Sequence, residues 1–177
     1  MKAFNIFKTP VDSHYFFGYY DKLQLNKDNS KLLILKVDFM DHVPNKNDKA
    51  TIGYFDLENK NKFIKITTTR AFNWQQGCML QWLGPDYNKR VIYNDLIDNK
   101  LVSVILDLET DRKKIIEKAV YSTHPNGKHA ITIDFERHHW CRRGYSYDGN
   151  FSEKKNKPIV DNDAIWHLDL EANKSKK

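Results

Sequence analysis

One sequence element recurs three times in the chain, and this repetition limits the fold more than any other feature. Each copy has an aliphatic or aromatic stretch, then Asp-Leu-Glu, then a polar turn. The copies are GYFDLENKNKFIKI from Gly53, VILDLETDRKKIIE from Val104 and IWHLDLEANKSKK from Ile165. Their aligned aspartates, Asp56, Asp107 and Asp169, are 51 and 62 residues apart. Such a chain is expected to fold as a row of similar units, each packed against the next.

A second element precedes each copy of the first. It consists of a turn rich in Asn, Asp, Gly or Pro, followed by a β-branched or aromatic run, as in HPNGKHAITIDFER from His124. Together with a strand before this turn and a short outer strand after the Asp-Leu-Glu turn, each unit holds about four antiparallel strands. No segment keeps a period of 3.6 residues, so we expect almost no helix.

Four-stranded units at this period are typical of β-propeller blades. The sequence therefore predicts an all-β fold, a partial β-propeller of about three four-stranded antiparallel blades, at residues 15–68, 78–118 and 119–177. Because a closed propeller has roughly four to eight blades, residues 1–177 are interpreted as one incomplete propeller domain, truncated from something longer. Ala3 to Phe7 is a candidate for the strand that closes the last blade.

Two details of the repeat can be checked directly against a structure. Gly127 is expected to have a positive φ in a hairpin turn, because only glycine enters that region without steric cost. The side chains expected to be buried between sheets are Val104, Leu106, Ile165 and Leu168.

Charge and cysteine usage exclude several functional classes. The chain has 29 basic and 23 acidic residues, a net charge of +6, but its lysines alternate with acidic residues as on a solvated surface, so we expect no nucleic-acid partner. Cys78 and Cys141 match neither a zinc motif nor a disulfide framework. The sequence has no run of 18 apolar residues and no secretory signal, so we expect no membrane span and a cytoplasmic location.

Four polar or aromatic blocks supply the candidate ligand-binding residues. Each has a structural alternative: a packed inner strand for the first, buried amides for the second, blade-to-blade hydrogen bonds for the third and a solvated basic loop for the fourth. Gly18 in the first block indicates a close backbone approach. The candidates are His14, Tyr19 and Asp21; Trp74, Gln75 and Gln76; Asn94 and Asp95; and His124, Arg137, His138 and Tyr145.

These residues come from different blades and matter only if they converge. Inner strands of a propeller run beside its axis, so we expect at least three of His14, Gln75, Gln76, His124, Arg137 and His138 to meet in one axial cavity, where the inner strands begin. The candidates for metal ligands are His14, Gln76, His124 and His138. The sequence identifies no catalytic residue, because it contains no Gly-rich phosphate loop, nucleophile elbow or His-Glu-x-x-His motif.

The blocks HYFFGYYDK, NWQQGCMLQWL, VIYND and STHPNGKHAITIDFERHHWCRRGYSYD resemble an uncharacterised bacterial propeller family of surface-polysaccharide gene clusters. More distantly they resemble oligogalacturonate-lyase-like propellers, and HPNGKHAITIDFER is similar to the repeat of TolB-like and WD40-like propellers. The resemblance covers residues 14 to about 170.

This resemblance implies a protein that binds or processes glycans. If it is an enzyme, it is a polysaccharide lyase or another carbohydrate-active enzyme, and in the lyases His and Gln hold a divalent metal near the axis, such as manganese. The alternatives are a non-catalytic WD40-like interaction scaffold and a non-functional truncated product. Open blade edges would in either case favour self-association.

Overall fold

The chain folds into three four-stranded antiparallel sheets, in a computed structural model that describes residues 7–149, 155–161 and 163–177. The strands of each sheet follow one another in chain order. The first sheet holds β1 (His14–Phe16), β2 (Lys31–Val37), β3 (Ala50–Asp56) and β4 (Lys62–Thr69); the second holds β5 (Gln81–Trp82), β6 (Arg90–Ile97), β7 (Lys100–Asp107) and β8 (Lys113–Ile116); the third holds β9 (Ser122–Thr123), β10 (His129–Thr132), β11 (Trp166–Asp169) and β12 (Lys174–Lys176).

This arrangement confirms the all-β class and the partial propeller of three blades. None of the described residues belongs to a helix that is long and apolar enough to cross a membrane. The proposed closing strand, Ala3 to Phe7, lies outside the described residues except for Phe7.

The Asp-Leu-Glu turn has the same hydrogen bonds in all three sheets. Each aspartate is the last residue of the third strand and accepts two backbone N–H groups with its Oδ1. Asp107 accepts those of Glu109 at 3.0 Å and Thr110 at 2.9 Å, and Asp56 and Asp169 repeat the pattern. The next backbone N–H donates at 2.8 Å to a carbonyl just before the second strand. These pairs are Leu57 with Ser30, Leu108 with Lys89 and Leu170 with Lys128.

Two apolar cores fill the spaces between successive sheets. Side chains alternate across a strand, so Val91 and Tyr93 of β6 face the first sheet, whereas Ile92 faces the third. Of the residues expected to be buried, Val104 and Leu106 lie in the first core and Leu168 lies in the second.

The two outer faces of the row of sheets differ. On the first sheet, Phe55 is fully buried and its ring lies 4.8 Å from that of Phe7 and 5.4 Å from that of Tyr15. On the third sheet, Ile131 and Ile165 are 50% and 68% exposed. The expectation that Ile165 is buried is therefore wrong, because it lies on a face that no described sheet covers.

The segment after β10 corrects the expectation of a simple loop. Phe135–Cys141 forms a seven-residue helix, α1, and Asp134 caps it by accepting the N–H of Arg137 at 3.0 Å. Phe135 is its one buried residue and stacks on Tyr147 at 5.1 Å. A helix with a single buried residue leaves no 3.6-residue pattern in the sequence.

Gly127 confirms the predicted turn. Its φ is +69°, and its N–H donates to the carbonyl of His124 at 2.9 Å. A Cβ at this position would lie 1.8 Å from the carbonyl oxygen of Gly84. The turn of the third sheet therefore packs directly against backbone of the second.

Candidate functional site

A cavity of about 410 Å³ lies at the end of the second and third sheets where β5 and β9 begin. Gln75 and Gln76 precede β5, and Tyr121 precedes β9. Tyr19 and Tyr20 lie between β1 and β2, and the rest of the wall comes after β10, which is antiparallel to β9 and so ends where β9 begins. We call this cavity the axial pocket; it is lined by Tyr19, Tyr20, Gln75, Gln76, Tyr121, Ile133, His138, Arg142 and Tyr145.

Two glycines bring the first and second sheets together beside this pocket. A Cβ on Gly18 would lie 2.7 Å from backbone atoms of Gln76, and one on Gly77 would lie 2.6 Å from the carbonyl oxygen of Phe17. Both have positive φ, +123° and +56°. This backbone contact, which the sequence predicted for Gly18, sets Tyr19 next to Gln76.

Asn73 fixes the backbone of the two glutamines. Its Oδ1 accepts the N–H groups of Gln75 at 2.9 Å and Gln76 at 2.7 Å. Its Nδ2 donates to the carbonyl of Ser146 at 3.0 Å. Asn73 therefore ties the start of the second blade to the segment that follows α1, and both segments line or flank the axial pocket.

Two buried polar atoms at the pocket have no partner among the described residues. Gln76 is 3% exposed and its Oε1 accepts no hydrogen bond, and the Nδ1 of His138 is likewise unpaired. Leaving a buried polar group unsatisfied costs roughly 1–3 kcal/mol. Such atoms are uncommon in native structures, and a group bound at the site would account for them.

Aromatic rings and cations form the rest of the pocket wall. The rings of Tyr19 and Tyr20 lie 4.6 Å apart. The guanidinium of Arg142 lies 4.0 Å from the centre of the Tyr145 ring. Behind Tyr121, the Nζ of the buried Lys22 lies 5.1 Å from the ring centre and 2.8 Å from Oδ2 of Asp21.

The electrostatic environment keeps His138 neutral near pH 7. Burial, and to a smaller extent the charge of Arg142, lowers the pKa of His138 below its ordinary 6.5. Among the described residues, the pocket is lined by no carboxylate. The charge of Arg142 is therefore not balanced within the lining, which favours an anion or an oxygen-rich ligand.

The structure brings together five of the predicted site residues, Tyr19, Gln75, Gln76, His138 and Tyr145. Asp21 stands behind the wall through its pair with Lys22. The sequence did not single out the other lining residues as ligand contacts. Arg142 is followed by a second arginine, Arg143, and Tyr121 directly precedes a first strand, so both residues carry a signal in the sequence.

Asn94 and Asp95 have structural roles, which corrects their interpretation as ligand contacts. Asn94 is fully buried, and its side chain bonds the N–H and carbonyl of Val120 at 2.7 and 2.8 Å and the hydroxyl of Tyr147 at 2.9 Å. Asp95 accepts the N–H of Arg70 at 2.9 Å. These bonds match the alternative of blade-to-blade hydrogen bonds.

Three more predicted residues lie away from the axial pocket. His14 is exposed at the start of β1. Trp74 donates its Nε1–H to the carbonyl of His42 at 3.1 Å and packs its ring 5.2 Å from that of Phe16. Arg137 points from α1 to the segment before β11 and donates to Asp163 at 3.2 Å and to the carbonyls of Lys157 and Pro158.

His124 lies at the opposite end of the sheets, because it follows β9 rather than preceding it. It lines a separate cavity of about 390 Å³ on the outer face of the third sheet, together with His129 and His167. The Nδ1 of His129 and the Nε2 of His167 are 3.2 Å apart.

The four candidate metal ligands do not form one donor set. Only Gln76 and His138 share the axial pocket, and the neighbouring Arg142 adds positive charge where a cation would bind. Among the described residues, no group of three or more His, Cys, Asp or Glu side chains is placed to hold a metal ion. The residues present therefore do not fit the divalent metal that the lyase resemblance implies.

No protein-family model matches the chain, and neither does any curated protein sequence. Two solved structures are similar to it: TolB from Acinetobacter baumannii, with 15% identity and a TM-score of 0.49 over 92% of this chain, and the apo form of the isopeptidase AtxE2, with 10% identity and a TM-score of 0.52 over 93%. The chain spans 43% and 30% of their respective lengths. At this identity, the likeness to the isopeptidase concerns the fold alone.

Proposed function

We propose that the axial pocket binds a saccharide that carries an acidic group, and that it does so without breaking a bond. The observation that carries this proposal is the pair of unpartnered buried atoms, Gln76 Oε1 and His138 Nδ1, in a cavity walled by tyrosines. The sequence resemblance adds the link to bacterial surface-polysaccharide metabolism.

The unpaired atoms match what a sugar hydroxyl offers. A hydroxyl both donates and accepts hydrogen bonds, so it can donate to Gln76 Oε1 and reach His138 Nδ1 in either tautomer. Neutral groups that gain partners only when the ligand binds favour specific recognition, because a ligand without the hydroxyl leaves them unsatisfied.

The tyrosines and Arg142 complete the recognition. The tyrosine rings provide flat apolar area with a hydroxyl at one edge, which suits a sugar ring with an apolar face and polar rim. Arg142 presents N–H donors in a planar fork that pairs with a carboxylate. Its stacking on Tyr145 holds the guanidinium at the mouth of the pocket.

Binding is favoured over glycoside hydrolysis by the composition of the lining, and over metal-assisted lyase chemistry because no group of metal ligands is found among the described residues. General acid–base cleavage of a glycosidic bond uses a pair of carboxyl groups, and no carboxylate of the described residues lines the pocket. The single imidazole of His138 has no acidic neighbour in the lining to orient or activate it.

The test is isothermal titration calorimetry with matched acidic and neutral monosaccharides, glucuronate against glucose and galacturonate against galactose. We expect at least one acidic sugar to bind and its neutral partner to bind about tenfold more weakly, as for the loss of one charged hydrogen bond. Gln76→Met should remove binding of both. Gln24→Met, a change of the same kind outside the pocket lining, serves as the control; equal affinity in both variants would contradict the proposal.

A further inference from the structure

We infer that the groove between the second and third sheets, at the end opposite the axial pocket, binds an acidic peptide segment that also carries apolar side chains. The groove has a volume of about 460 Å³. It is independent of the proposed saccharide site. We call it the interblade groove; its basic residues are Arg90, Arg112, Lys113, Lys114 and Lys128, and its floor is Ile105 and Leu170.

Charge is concentrated in this groove far more than the sequence suggested. Five cations line it against two carboxylates, Asp107 and Glu171. The excess of three positive charges is half of the net +6 of the chain. Arg112, Lys113 and Lys114 are consecutive in the sequence. Arg90 and Lys128 join them because turns of two successive units lie side by side.

The two carboxylates are largely occupied. Asp107 accepts the N–H groups of its own turn, and these bonds together with Arg90 lower its pKa. Glu171 pairs with Lys128 at 3.1 Å. Neither acid therefore cancels the charge at the other side of the groove.

Arg112 is the cation of the groove most available to a partner. Arg112 is exposed and forms no ion pair with a carboxylate of the described residues. The neighbouring basic side chains have hydrogen-bond partners: the exposed Lys113 donates from its Nζ to the hydroxyl of Thr67 at 3.3 Å. Arg90 donates to the carbonyl of Gly84 at 2.9 Å and Lys114 to that of Glu171 at 2.7 Å.

The floor of the groove selects among polyanions. Among the described residues, no aromatic ring lines the groove, whereas nucleic-acid bases bind single-strand sites by stacking on such rings. Polyphosphate and sulfated polysaccharide have no apolar group to place against Ile105 and Leu170. A peptide that alternates acidic and apolar side chains matches both the basic rim and the floor.

Fluorescence anisotropy of a labelled peptide that alternates Glu and Leu tests this assignment. We expect saturable binding that weakens with salt and that falls about tenfold in the double variant Arg112→Glu/Lys113→Glu. Lys60→Glu/Lys62→Glu makes the same change of charge in the corresponding turn of the first sheet and should alter the affinity less than about twofold. Circular dichroism checks that both variants fold, and Arg112→Gln/Lys113→Gln repeats the test without adding acidic charge.

A second peptide with Asn in place of Leu examines the floor, and we expect it to bind about tenfold more weakly because it buries no apolar side chain. If the Asn peptide binds equally well and polyphosphate or heparin competes with the same strength as the Leu peptide, the groove takes any polyanion and the assignment is wrong. Equal loss in the two double variants would also overturn it, since the effect would then follow net charge alone.

Discussion

At the residue scale, Gly127 and Gly144 illustrate two different reasons why a position favours glycine: the backbone angle φ, and the space available for a side chain. Both have positive φ, but a Cβ on Gly127 would meet the Gly84 carbonyl at 1.8 Å, whereas one on Gly144 would meet nothing within 4 Å. We expect Gly127→Ala to lower the free energy of unfolding by more than 1 kcal/mol and Gly144→Ala by roughly 1 kcal/mol or less. Urea denaturation measures both, and a smaller effect at Gly127 would contradict the packing of the turn.

Gln76 and Gln81 form a second matched pair, since both are buried and only one is fully bonded. Gln81 donates to the carbonyls of Met79 and Tyr121, and its Oε1 accepts the N–H of Thr123. Gln81→Met should destabilise the protein by about 1–3 kcal/mol because it leaves these groups unpaired. Gln76→Met removes an unpaired Oε1 and should leave the melting temperature unchanged or higher. A large loss in melting temperature on Gln76→Met would argue against a ligand role.

His138 makes the stability of the protein depend on pH. Because its pKa is lowered in the folded protein, the unfolded chain takes up a proton first, at about pH 6.5. The folded state is therefore increasingly penalised as the pH falls below that value, and the penalty is absent above it. The melting temperature of His138→Gln, relative to that of the wild type, should be higher at pH 5 than at pH 8. A difference in melting temperature that stays constant between these two pH values would contradict this prediction.

At the scale of elements, the Asp-Leu-Glu turns are the parts of the fold that the sequence predicts best. Their signal is local, because the aspartate side chain bonds the backbone two and three residues ahead in every copy. Asp56→Ala and Asp107→Ala should both lower the melting temperature. Asp28→Ala, in a turn where the side chain accepts no hydrogen bond from the described residues, should not. Differential scanning calorimetry compares the three, and equal melting temperatures would mean that the turn bonds add no stability.

The same locality explains which site residues the sequence could and could not predict. Gln76 precedes β5 and Tyr121 precedes β9, and blades in register bring such positions together. Tyr19 follows β1 and reaches Gln76 through the close backbone contact at Gly18. His124 stands after β9 and is carried to the opposite end. Asn94 looks polar and accessible in sequence, but the segment that buries it contains Tyr147, more than fifty residues away. Arg137 is turned outward by α1, a helix that leaves no periodic signal.

At the scale of the whole molecule, the open face of the third sheet should cause self-association. Ile131 and Ile165 are exposed there, and contiguous exposed apolar surface drives association. We expect analytical ultracentrifugation to detect a dimer. Ile131→Lys/Ile165→Lys should shift the distribution to monomer, whereas Ile115→Lys, at a residue that is 50% exposed on β8, should not. A monodisperse wild-type monomer would contradict this expectation.

The aromatic side chains that cover Phe55 determine how many copies can join in any such assembly. A filament grows only if each copy has two different, complementary surfaces, one that binds the preceding copy and one that binds the next. Here Phe7, Tyr15 and Phe63 pack against Phe55 at one end, so among the described residues an added copy is expected to join through the exposed face of the third sheet. Two copies that meet through that face leave nothing to propagate. The association is thus expected to stop at the dimer, because the covered face of the first sheet does not bind a further copy.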